Sequence, residues 1–354
     1  MRRNNWSENT LMKSMMYAAA AIGFLGILAS SPAQQTPSSS AQAKPAAGTT
    51  APAAGASSVS KAPGQKTFSS AQQAADGLVT AATNFDQSAL IAIFGPGGED
   101  IIFSGEPAQD RKHAADFAAE AKEKESVSVD PKTGNRAFLL VGNEDWPFPV
   151  PIVKSGGVWF FDSKAGKQEL LYRRIGSNEL DAISICHGYV EAQYDYAFQP
   201  RQGYDVNQYA QRITSTPGTQ DGLAWQTSDG SWSGPVGEKI AKAIEQGYDL
   251  NADPYHGYYF KILKGQGPAA PMGQLDYVVK GAMIGGFALV AAPAEYGVTG
   301  VRSFIVSQDG VVYEQDLGLS TVDKFKAMDR FNPDDSWNPV TVDSPQLAQT
   351  AENN

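Results

Sequence analysis

The chain has 354 residues, of which 42% are hydrophobic and 19% charged, with a formal net charge of -10. That length and apolar content suffice for two ordinary domains, and the acidic balance is repelled by phosphate backbones and anionic lipid surfaces, which argues against a nucleic-acid partner. A single cysteine, Cys186, rules out an internal disulfide, and three histidines leave little for a histidine-rich metal site, so neither metal nor cofactor is expected.

Arg2, Arg3 and Lys13 precede an apolar run from Met15 to Ala29, followed by Ser30-Ser31-Pro32-Ala33. Positive, apolar and small-residue regions in that order make a secretory signal. The run holds about 15 residues, short of the ~20 that a spanning helix needs. Cleavage is expected after Ala33, because a cut after Ser31 would place Pro32 just past the bond; no cysteine near the site allows a lipid anchor. The mature chain is therefore expected in the periplasm or secreted, with no stable membrane span. Residues 34–65, rich in Ala, Ser, Pro, Thr and Gln without apolar periodicity, read as a disordered spacer.

Residues 66–176 read as a first folded domain. Ser69 and Gln72 have capping-box spacing, and Ala71, Ala74, Ala75, Leu78, Val79 and Ala82 recur on one helical face. A second helix is expected from Asp86, burying Leu90, Ile93 and Phe94 and stopping at Gly95-Pro96, and a third over 108–124. Short β-branched or aromatic runs follow at 136–142, 148–154 and 158–162, the last two joined by Ser155-Gly156-Gly157. Pro147, Pro149 and Pro151 alternate, which suits an edge strand. The expected class is α+β, helices covering one face of an antiparallel sheet, in the manner of a cystatin-like or nuclear-transport-factor-like cone.

Residues 177–338 read as a second α+β domain, with 339–354 a flexible tail. Ser177 is placed to cap a helix from Asn178 to about Phe198, with Leu180, Ile183, His187, Val190, Tyr194 and Ala197 as its apolar seam. Strands are expected at 258–263, 287–292, 302–306 and 311–314, the last pair joined by Asp309-Gly310. A long helix followed by a meander, with Ala192-Gln193-Tyr194, Ala292-Pro293, Gly297 and Ser303-Phe304, resembles the soluble head of type IV pilins and pseudopilins. A whole domain precedes this helix, where a pilin has an apolar helix directly before its head.

Longer motifs carry a second resemblance. Trp146-Pro147-Phe148-Pro149-Val150-Pro151, the run Tyr172-Arg173-Arg174-Ile175-Gly176-Ser177-Asn178-Glu179-Leu180, Met283 to Val290 (MIGGFALV) and Pro293 to Val301 (PAEYGVTGV) resemble the bacterial domain-of-unknown-function 2950 family, over about residues 66–338. The resemblance implies an exported bacterial protein and points to no reaction.

No catalytic residue is assigned. Cys186-His187 invites a thiol–imidazole pair, but helix neighbours point about 100° apart. Asp249-Leu250-Asn251-Ala252-Asp253 opens like a calcium loop and then fails, with Pro254 in the glycine position and Phe260 in place of the bidentate glutamate. Phe94-Gly95-Pro96-Gly97-Gly98 lacks the Lys-Ser/Thr of a phosphate loop. The candidate binding residues are Asp145, Trp146, Trp159, Arg173, Arg174, Asn178 and Glu179. Guanidinium forks suit planar anions, so Arg173 and Arg174 either bind a carboxylate or phosphate or tie the domains through Asp145, Glu179 or Glu295. Trp146, Phe148, Trp159 and Phe161 either line a pocket or fill the sheet core. Three functions follow: a non-catalytic envelope module that binds another protein or a surface polymer, a small-ligand binder or hydrolase using a pocket in the first domain, or a pilus or secretion subunit.

Overall fold

A computed structural model describes residues 59–199, 206–236 and 254–341. The proposed signal segment, most of the spacer, the Asp249–Asp253 stretch and nearly all of the tail lie outside them. The chain divides into two compact units between Leu170 and Leu171. Each combines helices with antiparallel sheet, so the fold class is α+β.

The first unit opens with α1 (Ala71–Thr83), α2 (Gln87–Phe94), α3 (Glu99–Ile102) and α4 (Pro107–Glu123). Ser70, one residue later than the expected cap, accepts a hydrogen bond from Gln73 N at 3.1 Å and starts α1. Asp86 caps α2 through Ala89 N at 3.0 Å, and Gly95 ends it at φ 72°. Pro107 occupies the first turn of α4, where its missing N–H costs nothing.

The sheet consists of β1 (Glu125–Val129), β2 (Arg136–Val141), β3 (Trp146–Pro147), β4 (Ile152–Ser155) and β5 (Val158–Phe161). Its order is β1-β2-β4-β5, with β3 added to β2. The proline-rich segment is split: Pro147 lies in β3, which among the described strands pairs with β2 alone, whereas Pro149 and Pro151 precede β4, which lies between β2 and β5, so none of the three occupies the interior of a central strand. Beyond β5, Phe68 exchanges backbone hydrogen bonds with Trp159, both at 2.8 Å. The true edge is β1, whose Glu-Ser-Val-Ser-Val sequence is too polar to announce a strand.

Glu125 in β1 is half-buried, and burial, then the neighbouring Asp76, push its carboxyl above the usual carboxylate range. An acid raised in the folded state weakens folding as pH climbs above its ordinary value. Glu125→Gln is therefore expected to raise the melting temperature at pH 7 and leave it unchanged below pH 4; a calorimetric pH series checks this.

α5 (Ser163–Ala197) is a single 35-residue helix. It starts well before Ser177, which lies inside it. Asp162 accepts from Ala165 N at 3.1 Å, the Ser163 hydroxyl donates to Phe94 O at 2.6 Å, and the following Lys-Gln-Glu-Leu-Leu-Tyr-Arg-Arg run is made of good helix formers. Gly176 costs only about 1 kcal/mol relative to Ala and does not stop it.

The second unit contains β6 (Arg212–Thr214), β7 (Gly222–Gln226) and β8 (Trp232–Ser233), two two-residue hairpins formed by β10 (Gly265–Gln266) with β11 (Leu275–Asp276) and β12 (Val278–Val279) with β13 (Ala282–Met283), and the helix α6 (Thr321–Ala327). Its main sheet, antiparallel throughout, runs β17 (Asn338–Pro339), β16 (Val312–Asp316), β15 (Arg302–Ser307), β14 (Ala288–Pro293) and β9 (Tyr258–Leu263). Asp309 makes the expected turn, with Gly310 N bonded to Ser307 O at 3.0 Å.

The buried seam of α5 is offset from the expected one. Ala182, Cys186, Tyr189, Gln193 and Tyr196 are buried, whereas Leu180 is 55% and Tyr194 37% exposed. Small residues at 182 and 186 let the helix backbone approach the core. The tyrosines bury their rings while their hydroxyls reach Ala288 O (3.4 Å) and Gln220 O (2.5 Å). Large apolar letters drew the expected seam; polar tips disguise the real one.

Candidate functional site

Asp145, Trp146 and Trp159 belong to the first unit. Asp145 sits in the turn before β3 with φ 54°, and its exposed carboxylate pairs with Lys124 Nζ at 2.7 Å. Trp146 is opposite Val141 and packs half-buried against the core. Trp159 is inside that core. The ring of Phe148 lies 6.2 Å from Phe94, 5.2 Å from Phe117 and 6.3 Å from Phe161, centre to centre. These aromatic residues belong to this unit's core or pack against it, an ordinary use of ring area. Among the described residues of this unit, the surface includes open depressions. One, of about 470 Å³, runs along α1 and α4 and is floored by alanines; another, of about 360 Å³, is bordered by Lys66, Asp76, Thr80, Asn84 and Asp86.

Arg173, Arg174, Asn178 and Glu179 lie on α5 in the second unit. Arg174 is exposed and Arg173 half-buried. Asn178 donates to Thr299 O at 2.8 Å, and Glu179 Oε1 accepts from Val301 N at 2.8 Å and Arg302 N at 2.9 Å. The carboxylate thus satisfies two main-chain donors at the entry to β15. Tyr258, buried beside it, donates to Arg302 O at 2.7 Å. Burial, followed by the Glu179 charge, pushes its hydroxyl well above the usual phenol range. Gly300 packs directly on the Tyr258 hydroxyl, where a Cβ would collide. Helix, loop and tyrosine interlock here, which explains why this stretch is rich in motif-like residues.

Sequence reasoning missed one polar group. His256 Nδ1 lies 2.6 Å from Asp181 Oδ2 on α5, and Tyr255 stacks on the imidazole at 4.2 Å. Burial, then Asp181, raise the Tyr255 hydroxyl. The pair fastens a two-residue turn in which His256 and Gly257 both have positive φ, 46° and 74°, as the tightest hairpin turns require. An isolated His-Gly between tyrosines was the available signal.

Cys186 is fully buried, and desolvation pushes its thiol up to about 12. It is expected to be inert to thiol reagents in the folded protein and to react only as fast as the chain opens; labelling rates across a urea series measure this. Among the described residues no group of three or more His, Cys, Asp or Glu side chains converges on a metal position, and no helix is long and apolar enough to cross a membrane.

The family model for the protein of unknown function DUF2950 matches residues 65–340. The chain belongs to that family. No curated protein and no solved structure matches it, and these comparisons give no support to a pilin-like second unit. In this DUF2950 chain the two ends of the matched span are fastened into the fold. Gln65 Nε2 donates to Ile93 O, Phe94 O and Phe161 O at 2.8–3.2 Å, and Val340 N donates to Val312 O at 2.8 Å.

Proposed function

We propose that this DUF2950 protein is exported from the bacterial cytoplasm and acts as a non-catalytic envelope module that binds another protein. The observation that carries the reading is the engagement of Asn178 and Glu179 with Thr299, Val301 and Arg302. Polar side chains that a ligand site would present are committed to holding the main chain. The aromatic residues of the first unit pack on one another in its core in the same way. Export is supported by the order of Arg2, Arg3, the Met15–Ala29 run and Ala33.

The test has two arms. Fractionation with amino-terminal sequencing is expected to find a chain beginning at Gln34 outside the cytoplasm; a full-length cytosolic product overturns the export reading. Thermal-shift screening of small ligands is expected to give no dose-dependent stabilisation. A stabilising ligand whose effect is lost in Lys66→Ala would favour the alternative, a small-ligand site at the depression bordered by Lys66, Asp76 and Asn84.

A further inference from the structure

Among the described residues, the edge strand β1 turns a row of main-chain groups away from its sheet. Gly142 N bonds Lys124 O at 3.0 Å and Asp130 N bonds Arg136 O at 2.8 Å. With the β1–β2 register Glu125↔Val141 to Val129↔Ala137, these bonds put the even-numbered residues of β1 in its hydrogen-bonded pairs with β2. Glu125, Val127 and Val129 therefore turn their N–H and C=O groups away from the sheet. Among the described residues no strand lies on that side. The alanine-floored depression, bordered by Ala115, Ala118, Ala119 and Glu125, adjoins the same edge.

We propose that β1 pairs antiparallel with β1 of a second copy of this chain, about a two-fold axis at Val127. That choice of occupant rests on self-complementarity. Centring on Val127 sets outward-facing residues against each other, Glu125 opposite Val129 and Val127 opposite itself, giving about six new backbone hydrogen bonds. The same register places Lys124, whose ammonium pairs with Asp145 in the same chain, opposite the second copy's Asp130 twice, so opposite rather than like charges meet at both ends. An axis perpendicular to the sheet keeps the helical layers of both copies on one face, so the small side chains of α4 leave room for the partner. A two-fold contact of this kind closes on itself and stops at a dimer.

Lys124 and the inward-facing Glu125 guard the first end of this edge, whereas its other end carries fewer defences. Pro131 lies past the strand, and Val129, 45% exposed, offers an apolar side chain at the end of the row.

Sedimentation of the purified full chain is expected to show a concentration-dependent dimer. Val129→Pro removes an outward N–H and no ladder bond within the chain, so it should abolish the dimer while leaving the melting temperature of the monomer nearly unchanged. Ser126 and Ser128 of opposite copies face each other at a non-hydrogen-bonded pair, close enough for a disulfide. An equimolar mixture of Ser126→Cys and Ser128→Cys chains is expected to crosslink under mild oxidation, whereas each variant alone crosslinks far less. The native Cys186 is buried and will not interfere. Equal crosslinking by single variants and mixture would overturn the register, and a monomer at every concentration would overturn the dimer. A monomer with the Val127 amide protected from hydrogen exchange would show that another segment of this chain covers the edge, which also overturns it.

Discussion

Glu179→Ala is expected to lower the free energy of unfolding by about 3 kcal/mol, since hydrogen bonds to a charged acceptor contribute roughly 1.5–3 kcal/mol each. Two such bonds, from Val301 N and Arg302 N, end on one carboxylate oxygen. Truncation leaves both donors at the mouth of β15 and loosens Tyr258, whose hydroxyl relies on Arg302 O. Glu179→Gln keeps an oxygen in place and should lose less than half as much. Urea unfolding of the three proteins, followed by tryptophan fluorescence, decides the matter. If Glu179 served a ligand instead, both substitutions would leave the midpoint unchanged and abolish a ligand response.

The contrast between what the residues announced and what they concealed follows from which signals are local. α1, α2 and the Asp309-Gly310 turn were readable because caps, glycine stops and tight turns act within a few residues. The start of α5 was misplaced because Gly176-Ser177-Asn178 imitates a stop followed by a cap, while the real signal, Asp162 with Ala165, lies upstream. Its buried face was misplaced because burial there depends on what packs opposite. Cys186 and Gln193 enter the core only because the sheet strands and Ala210 meet them. β1 was invisible because Ser126 and Ser128 face away from the core and, among the described residues, it pairs with β2 alone.

The candidate site shows the same division. Arg173, Arg174, Asn178 and Glu179 are polar or charged types that a sequence singles out as site candidates. Asn178 and Glu179 serve the main chain of a loop more than 100 residues away in sequence, from Thr299 to Arg302. Pairings at such separations are set by tertiary packing and leave no periodic trace. The His256–Asp181 pair, which joins residues 75 apart, was hidden for the same reason.

Gln193→Ala is expected to destabilise the second unit by about 4 kcal/mol, combining the penalty for unsatisfied buried groups with a cavity. Gln193 is fully buried on α5. Its amide donates to Ala210 O at 2.8 Å and accepts from Ala210 N at 2.8 Å, completing that residue's main-chain bonding as a neighbouring strand would. It also donates to the Tyr189 hydroxyl at 2.9 Å. Gln193→Leu fills most of the volume and leaves the polar deficit, so its loss should be about 2 kcal/mol. The difference between the variants separates packing from hydrogen bonding. Gln193→Glu should be at least as damaging as Gln193→Ala at neutral pH, because an ionised carboxylate would meet Ala210 O at a fully buried position. Partial recovery of that variant in acid, as the carboxyl takes up a proton and regains a donor, would identify Ala210 O as the group that Gln193 satisfies.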